Sequence, residues 1–157
     1  MTQLPFFVYG TLLPGQPNDG YWEDQILRST PAVLSSVELY AFPNFPMMVK
    51  SDNSSCQVKG QAIWVNPECY TNILMELDRL ENYDPADHDN SPYQRVERAV
   101  QTINGNEVLA WTYIGQPLLV KGLPKIPNGD WLTYTSESFD FISNDKWWRN
   151  RSSDKLF

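Results

Sequence analysis

With one histidine, two cysteines and only 12 basic side chains in 157 residues, the chain lacks material for several chemistries. A Ser-His-Asp or Cys-His constellation would depend entirely on His88. A zinc site built from His and Cys would need His88, Cys56 and Cys69 to converge. Carboxylates are left as the acid–base groups. The cysteines lack CxxC spacing, and no apolar run approaches the roughly 18 residues of a membrane span. No secretory signal precedes the apolar run Phe6-Phe7-Val8-Tyr9. The expectation is a reduced, cytoplasmic protein with free thiols and no membrane partner. Acidic residues outnumber basic ones, 19 to 12, for a net charge of -7. Residues 1–144 carry 8 basic and 17 acidic side chains, a net -9, while residues 145–157 carry 4 and 2, a net +2. An acidic body repels phosphate, which argues against nucleic acid and anionic membranes as main partners.

What is present favours one folded domain. Hydrophobic residues make up 41% and aromatics 13%, enough for a single core at this length. Leu4 to Val8 reads as a buried strand that stops at Tyr9-Gly10-Thr11. Pro14, Gly15, Pro17 and Gly20 then break regular structure. A short helix is expected over Tyr21 to Leu27, and a strand over Thr30 to Phe42, resuming at Met47-Met48-Val49 after Pro43 and Pro46. Gln57 to Val65 reads as a strand, with Gly60 marking either a bulge or a close backbone approach. Asn66-Pro67-Glu68 is a helix start, with Asn as N-cap, Pro in the first turn and an acid at the positive end. That helix runs to about Glu81. Strands from Tyr93 to Ile103 and Glu107 to Gly115 flank the hairpin signal Asn104-Gly105-Asn106. The stretch from Gln116 to Thr135 reads as irregular, and Phe139 to Arg151 as a terminal helix. No repeat or long linker divides the chain, so 1–157 is one α+β domain, with about 136–157 a C-terminal extension packed on it. Many non-local strands suggest a curved sheet or small barrel.

The central helix holds a carboxylate where a hydrophobe would continue the pattern. Tyr70, Ile73, Leu74 and Leu77 form an i, i+3, i+4, i+7 apolar stripe, and four residues further on stands Glu81. Asn72, Glu76 and Arg79 fall on the exposed side. A carboxylate at the end of such a stripe is partly desolvated, which raises its pKa toward what a general base needs near neutral pH. Alternatively, Glu81 sits past the last buried turn and faces water. Tyr83 follows directly, and Tyr93-Gln94-Arg95 opens the next strand. A phenol and a guanidinium there could orient the acid or hold a substrate carboxylate, or could belong to an ordinary strand. At the other end of the chain, Tyr9-Gly10-Thr11-Leu12 is a turn whose backbone N–H groups could cradle a carboxylate or an oxyanion.

Taken together, the two segments carry a resemblance. Phe7-Val8-Tyr9-Gly10-Thr11-Leu12 with Gly15-Gln16-Pro17-Asn18 resembles the opening signature of the γ-glutamylcyclotransferase-like superfamily, including its avirulence-induced-gene-like and γ-glutamylamine branches. Leu77-Asp78-Arg79-Leu80-Glu81-Asn82-Tyr83, followed by Tyr93-Gln94-Arg95, resembles its second signature. Leu39-Tyr40 through Phe45-Pro46, the Gly60 strand and Gly129-Asp130-Trp131 are similar to stretches of the same family. The resemblance implies a small mixed β-barrel flanked by helices. It also implies a small-molecule γ-glutamyl substrate, no cofactor and no metal. Glu81 would be the general base that releases 5-oxoproline, Tyr9, Gly10, Thr11 and Leu12 would bind substrate, and Tyr93 would line the pocket. Both motifs should then meet at one pocket. A non-catalytic ligand-binding or interaction domain of the same fold is the alternative.

Two departures stand out. Asn82 occupies a position where glycine is common, and nine residues, Asp84 to Pro92, separate Tyr83 from Tyr93. Asp84, Asp87, Asp89 and Asn90 lack EF-hand spacing and its central glycine, so they read as a solvated acidic loop. Trp147-Trp148 with Arg149 and Arg151 reads as an aromatic anchor of the terminal helix.

Overall fold

The protein is described by a computed structural model covering residues 3–22 and 24–142. Among these residues seven strands and two helices follow one another. β1 is Phe6–Val8, β2 Ile26–Ser35, β3 Val37–Ala41, β4 Pro46–Lys50 and β5 Gln57–Val65. Helix α1 is Tyr70–Leu80, β6 Tyr93–Thr102, β7 Glu107–Gly115 and α2 Trp131–Ile142. Five strands close a barrel in the order β1-β5-β2-β6-β7, and β3 and β4 form a separate two-stranded sheet. Closure is made by β1, antiparallel to β5 on one side and parallel to β7 on the other, with Phe6 opposite Trp111. A strand paired on both edges and covered on both faces should be apolar throughout. Phe6, Phe7 and Val8 are all fully buried.

Gly60 marks a close approach and not a bulge. The β2–β5 register runs through it unbroken, opposite Ala32. A Cβ built there would lie 2.1 Å from the Val8 carbonyl oxygen and 3.0 Å from the Phe7 ring. Only glycine lets β5 sit this close to β1.

Several expected elements are corrected. The strand expected over Thr30 to Phe42 is two strands, because Ser36 adopts φ 64° and turns the chain out of the barrel. The helix expected over Tyr21 to Leu27 does not form. A 3-10 turn spans Asp19–Tyr21, Asp24 at φ 65° blocks helical continuation, and β2 begins at Ile26. The irregular stretch ends early, since α2 begins at Trp131, well before Phe139. Asp130 starts it, accepting from the Thr133 backbone N–H at 3.2 Å and its hydroxyl at 2.9 Å. The remainder of the expected terminal helix, with Trp147 and Trp148, lies outside the described residues.

Helix α1 follows its signals. Asn66 Oδ1 accepts from the Glu68 N–H at 3.0 Å, and the 3-10 turn Pro67–Cys69 leads into the helix. Tyr70, Ile73 and Leu77 are buried, each burial worth about 1.5–3 kcal/mol. The Tyr70 ring packs 5.4 Å from that of Phe6, and its hydroxyl donates to the Leu4 carbonyl at 2.7 Å. These contacts seat α1 against β1. The helix ends in a Schellman arrangement: Tyr83 N–H bonds to the Asp78 carbonyl and Asn82 N–H to the Arg79 carbonyl. This requires a left-handed residue, and Asn82 supplies it at φ 57°. Asparagine tolerates that conformation better than other non-glycine residues, which accounts for its presence where glycine is common.

Gly60→Ala is expected to lower unfolding stability by about 1–3 kcal/mol or more in urea denaturation, because the Val8 backbone cannot yield as a side chain can. Gly20→Ala, with open space around its Cβ position, is expected to change it little. Equal stabilities for the two variants would contradict the close-approach account.

Candidate active site

The Schellman ending directs Glu81 into the protein. It is the C-cap residue of α1, its N–H bonds to the Leu77 carbonyl at 3.0 Å, and it is 1% exposed. Of the two readings left open by the helix pattern, the buried one holds. The carboxylate also sits at the negative end of the helix dipole, the reverse of the usual placement for an acid.

The other candidate residues are buried as well: Tyr9 and Leu12 fully, Thr11 at 4%, Tyr93 at 3%, and Gly10 in the same stretch. The turn that follows β1 is held by the second half of its own motif. Leu13 N–H closes on the Gly10 carbonyl at 3.0 Å. Asn18 donates from its backbone to the Thr11 carbonyl at 2.8 Å and from its amide to the Thr11 hydroxyl at 2.9 Å. The Trp22 indole N–H donates to the Leu12 carbonyl at 2.8 Å. The Gly-Gln-Pro-Asn segment is thus the brace of the Tyr-Gly-Thr-Leu turn.

Electrostatics join the two motifs. Burial pushes the Tyr9 phenol well above its ordinary value, and the charge of Glu81 pushes it further. Tyr93 is raised by burial, by Tyr9 and by Glu81. Tyr113 is raised by burial, by the charge of Asp78, by its hydrogen bond to Asp78 and by Glu81, with Arg95 opposing. The charge of Glu81 thus acts on three phenols, one from each of three separate stretches of chain. Two open clefts lie elsewhere on the described surface. One, of about 480 Å³, is walled by Asn18, Trp22, Cys69 and Asn72, and the other, of about 300 Å³, by Glu38, Cys56 and Lys125. Glu81 lines neither.

Arg95 turns its charge onto Asp78. Its Nε donates to Asp78 Oδ1 at 2.9 Å, and its guanidinium lies 4.5 Å over the Trp111 ring and 5.5 Å from that of Tyr83. Asp78 and Tyr113 are the residues that sequence reasoning passed over. Asp78 is buried and accepts from both Arg95 and the Tyr113 hydroxyl. Its signal was present: an acid next to Leu77 and one turn before Glu81 falls on the buried side of the same helix. Tyr113 gave no such signal, since it lies within an unremarkable apolar strand. No group of three or more His, Cys, Asp or Glu among the described residues is placed to hold a metal ion. Asp84 and Asp87 instead bond within their own loop, Asp84 to the Ala86 N–H and Asp87 to the Asn90 amide.

A small mixed barrel with a buried glutamate at a helix end and a braced glycine turn after its first strand defines a class of protein. The profile of the family described as gamma-glutamyl cyclotransferase, AIG2-like matches residues 6–133, and the chain belongs to that family. Among solved structures, an AIG2-like protein from Mus musculus is similar at 23% identity with TM-score 0.60, over 83% of this chain and 95% of that one. An uncharacterised protein from Pyrococcus horikoshii is similar at 22% identity with TM-score 0.59, over 89% of this chain and 99% of that one. An Arabidopsis thaliana protein solved in solution is similar at 22% identity with TM-score 0.59, over 96% and 86%. At such identities the likeness is one of fold. No curated protein matches the sequence.

The raised phenols have a measurable consequence. Tyr9, Tyr93 and Tyr113 each have a folded pKa above the ordinary value of 10.0. Their neutral forms therefore contribute stability that is fully present below about pH 10 and is lost as pH rises above it. Tyrosinate absorbance followed against pH should show these three ionising only as the protein unfolds, with Tyr93→Phe weakening the alkaline slope. Reversible ionisation of all tyrosines near pH 10 in the folded state would contradict the burial described.

Proposed function

We propose that the protein is a cyclotransferase that releases 5-oxoproline from a γ-glutamyl amine or γ-glutamyl dipeptide, with Glu81 as general base. The observation that carries this is the burial of Glu81, 1% exposed, where its charge reaches phenols from both motifs. Family membership supports the same reaction class.

Glu81 takes a proton from the substrate's α-ammonium, and the freed amine attacks the γ-carbonyl carbon. The new C–N bond closes the five-membered ring. As the ring nitrogen gives up its second proton the bond to the leaving amine breaks, and the amine departs with both protons, one returned by Glu81 and one from the ring nitrogen. Ring closure is intramolecular, so fixing the geometry draws on the roughly 7–11 kcal/mol available from effective molarity. In this reading the turn Tyr9, Gly10, Thr11 and Leu12 binds the substrate through its backbone and steadies the oxyanion, and Tyr93 walls the pocket. No step calls for a metal or cofactor. The free thiols of Cys56 and Cys69 support a reducing, cytoplasmic location. No helix among the described residues is long and apolar enough to cross a membrane.

Glu81→Gln keeps the shape but cannot accept the ammonium proton, so kcat should fall by about 10²–10⁴-fold while the fold survives. Glu76, exposed and paired with Arg79 at 2.6 Å, removes one negative charge from the same helix when changed to Gln. A surface pair of this kind is worth little, so Glu76→Gln should be near parental. Release of 5-oxoproline from γ-glutamyl amines and dipeptides is the assay. Similar, near-parental rates for the two variants would remove Glu81 as base. A parent that binds γ-glutamyl compounds without turning any over would instead make the domain a binding module.

A further inference from the structure

The clefts at Trp22 and at Cys56 differ in charge. Lys59 and Lys125 line the one at Cys56, and its carboxylate, Glu38, is already paired with Lys125 at 3.4 Å. The cleft at Trp22, of about 480 Å³, runs between the Asp19–Tyr21 turn and α1, and no lysine or arginine is among its lining residues. Its base is apolar: Trp22 and Ile73 are buried there, and Tyr21 stands 36% exposed. Met75, on the same helix, is 55% exposed. Glu76 lines the cleft, and Asp19, Asp24 and Glu68 are chain neighbours of its lining residues. Arg79, bonded to Glu76 at 2.6 Å, offsets one of these four charges.

An acid-rimmed cleft with an aromatic and aliphatic base fits a segment that combines tryptophan with cations. The chain carries one. Residues 143–157, which follow the described part, hold Trp147 and Trp148 with Lys146, Arg149, Arg151 and Lys155, against Asp145 and Asp154. The same charges disfavour the lysine-lined cleft at Cys56. Reach is sufficient. α2 starts beside the first residues of β5, where Gly129 packs so closely that a Cβ on it would lie 2.1 Å from the Gln57 carbonyl oxygen. The cleft lies past the other end of β5, where Asn66 leads into Cys69. A strand of that length spans about 30 Å. α2 covers about 18 Å, and five extended residues from Ile142 to Trp147 add about 17 Å.

We propose that Trp147 and Trp148, with their flanking cations, dock into the cleft between the Asp19–Tyr21 turn and α1 as an intramolecular contact of this chain. The tryptophans supply the buried area. The rim carboxylates set the orientation, since exposed ion pairs alone are worth little. Tethering holds the segment at an effective concentration on the order of millimolar, so a modest intrinsic affinity keeps it seated. Asn18 and Trp22, which line the cleft, also donate to Thr11 and Leu12. The seated segment thus rests against the brace of the Tyr9–Leu12 turn. The contact is independent of the reaction assigned to Glu81.

Cys69 lines this cleft and Cys56 the other, and both thiols are free. Alkylation of the whole folded chain by neutral iodoacetamide, read at each cysteine by peptide mass spectrometry, reports the cover of one cleft against a built-in control. Trp147→Ala/Trp148→Ala should raise the Cys69 rate about fivefold or more and leave that of Cys56 unchanged. Arg149→Glu/Arg151→Glu keeps both tryptophans but reverses the charge, and should raise the Cys69 rate about twofold or more. In the parent, Cys69 protection should be constant over an about hundredfold range of protein concentration, as an intramolecular contact requires. An unchanged Cys69 rate in the tryptophan variant would overturn the proposal. So would equal acceleration at both cysteines, which marks a general loosening of the fold. Protection that grows with protein concentration would also overturn it, by making a second copy the occupant.

Discussion

The ion pair between Asp78 and Arg95, 2.9 Å long and largely buried, joins the last turn of α1 to the barrel wall. On one side of it lies the Schellman ending that turns Glu81 inward. On the other lie β6 and β7, where Arg95 is held over Trp111 and Tyr113 bonds to the same aspartate. Removing one partner of such a pair typically costs about 3–5 kcal/mol, since the other charge is left buried. This makes the pair a constraint on geometry as well as on stability. With the Tyr113–Asp78 hydrogen bond and the edge contact of the Tyr83 and Tyr113 rings, it fixes the end of α1 against β6 and β7.

The barrel performs the complementary task for the first motif. β1 is short, but it is paired on both edges and anchored by the close approach of Gly60. It delivers Tyr9 into the interior at a defined height. From there the chain leaves regular structure, and Asn18 and Trp22 take over the hydrogen bonding that a strand would have supplied. A braced turn keeps backbone groups available without sheet partners. In this way the second half of the motif holds the first in place.

Much of this was legible in the residues. β5, β7 and the start of α1 follow strong local signals, and the Tyr70, Ile73, Leu77 stripe correctly oriented the helix toward the core. The corner at Ser36 was less legible, although the inward positions shift there from even numbers, Ala32 and Leu34, to odd ones, Val37 and Leu39. A single apolar window hides such a change of parity. The helix expected after Tyr21 failed because one residue, Asp24, takes a left-handed conformation that composition does not announce. Glu81, Tyr9 and Tyr93 stood out in the sequence because motifs mark them, and all three are buried. The roles of Asp78 and Tyr113 depend on contacts between chain segments 35 positions apart, and no local pattern encodes those. Arg95 was noticed for its charge, yet the structure spends that charge on Asp78.

The central claim is that the two motifs form one ligand site around Glu81. A crystal structure of the protein grown with 5-oxoproline tests it most directly. The account predicts density for the ring beside Glu81, in contact with Tyr93 and the backbone of Tyr9 to Leu12. Density confined to the cleft between Trp22 and Asn72, with the surroundings of Glu81 unchanged, would contradict it.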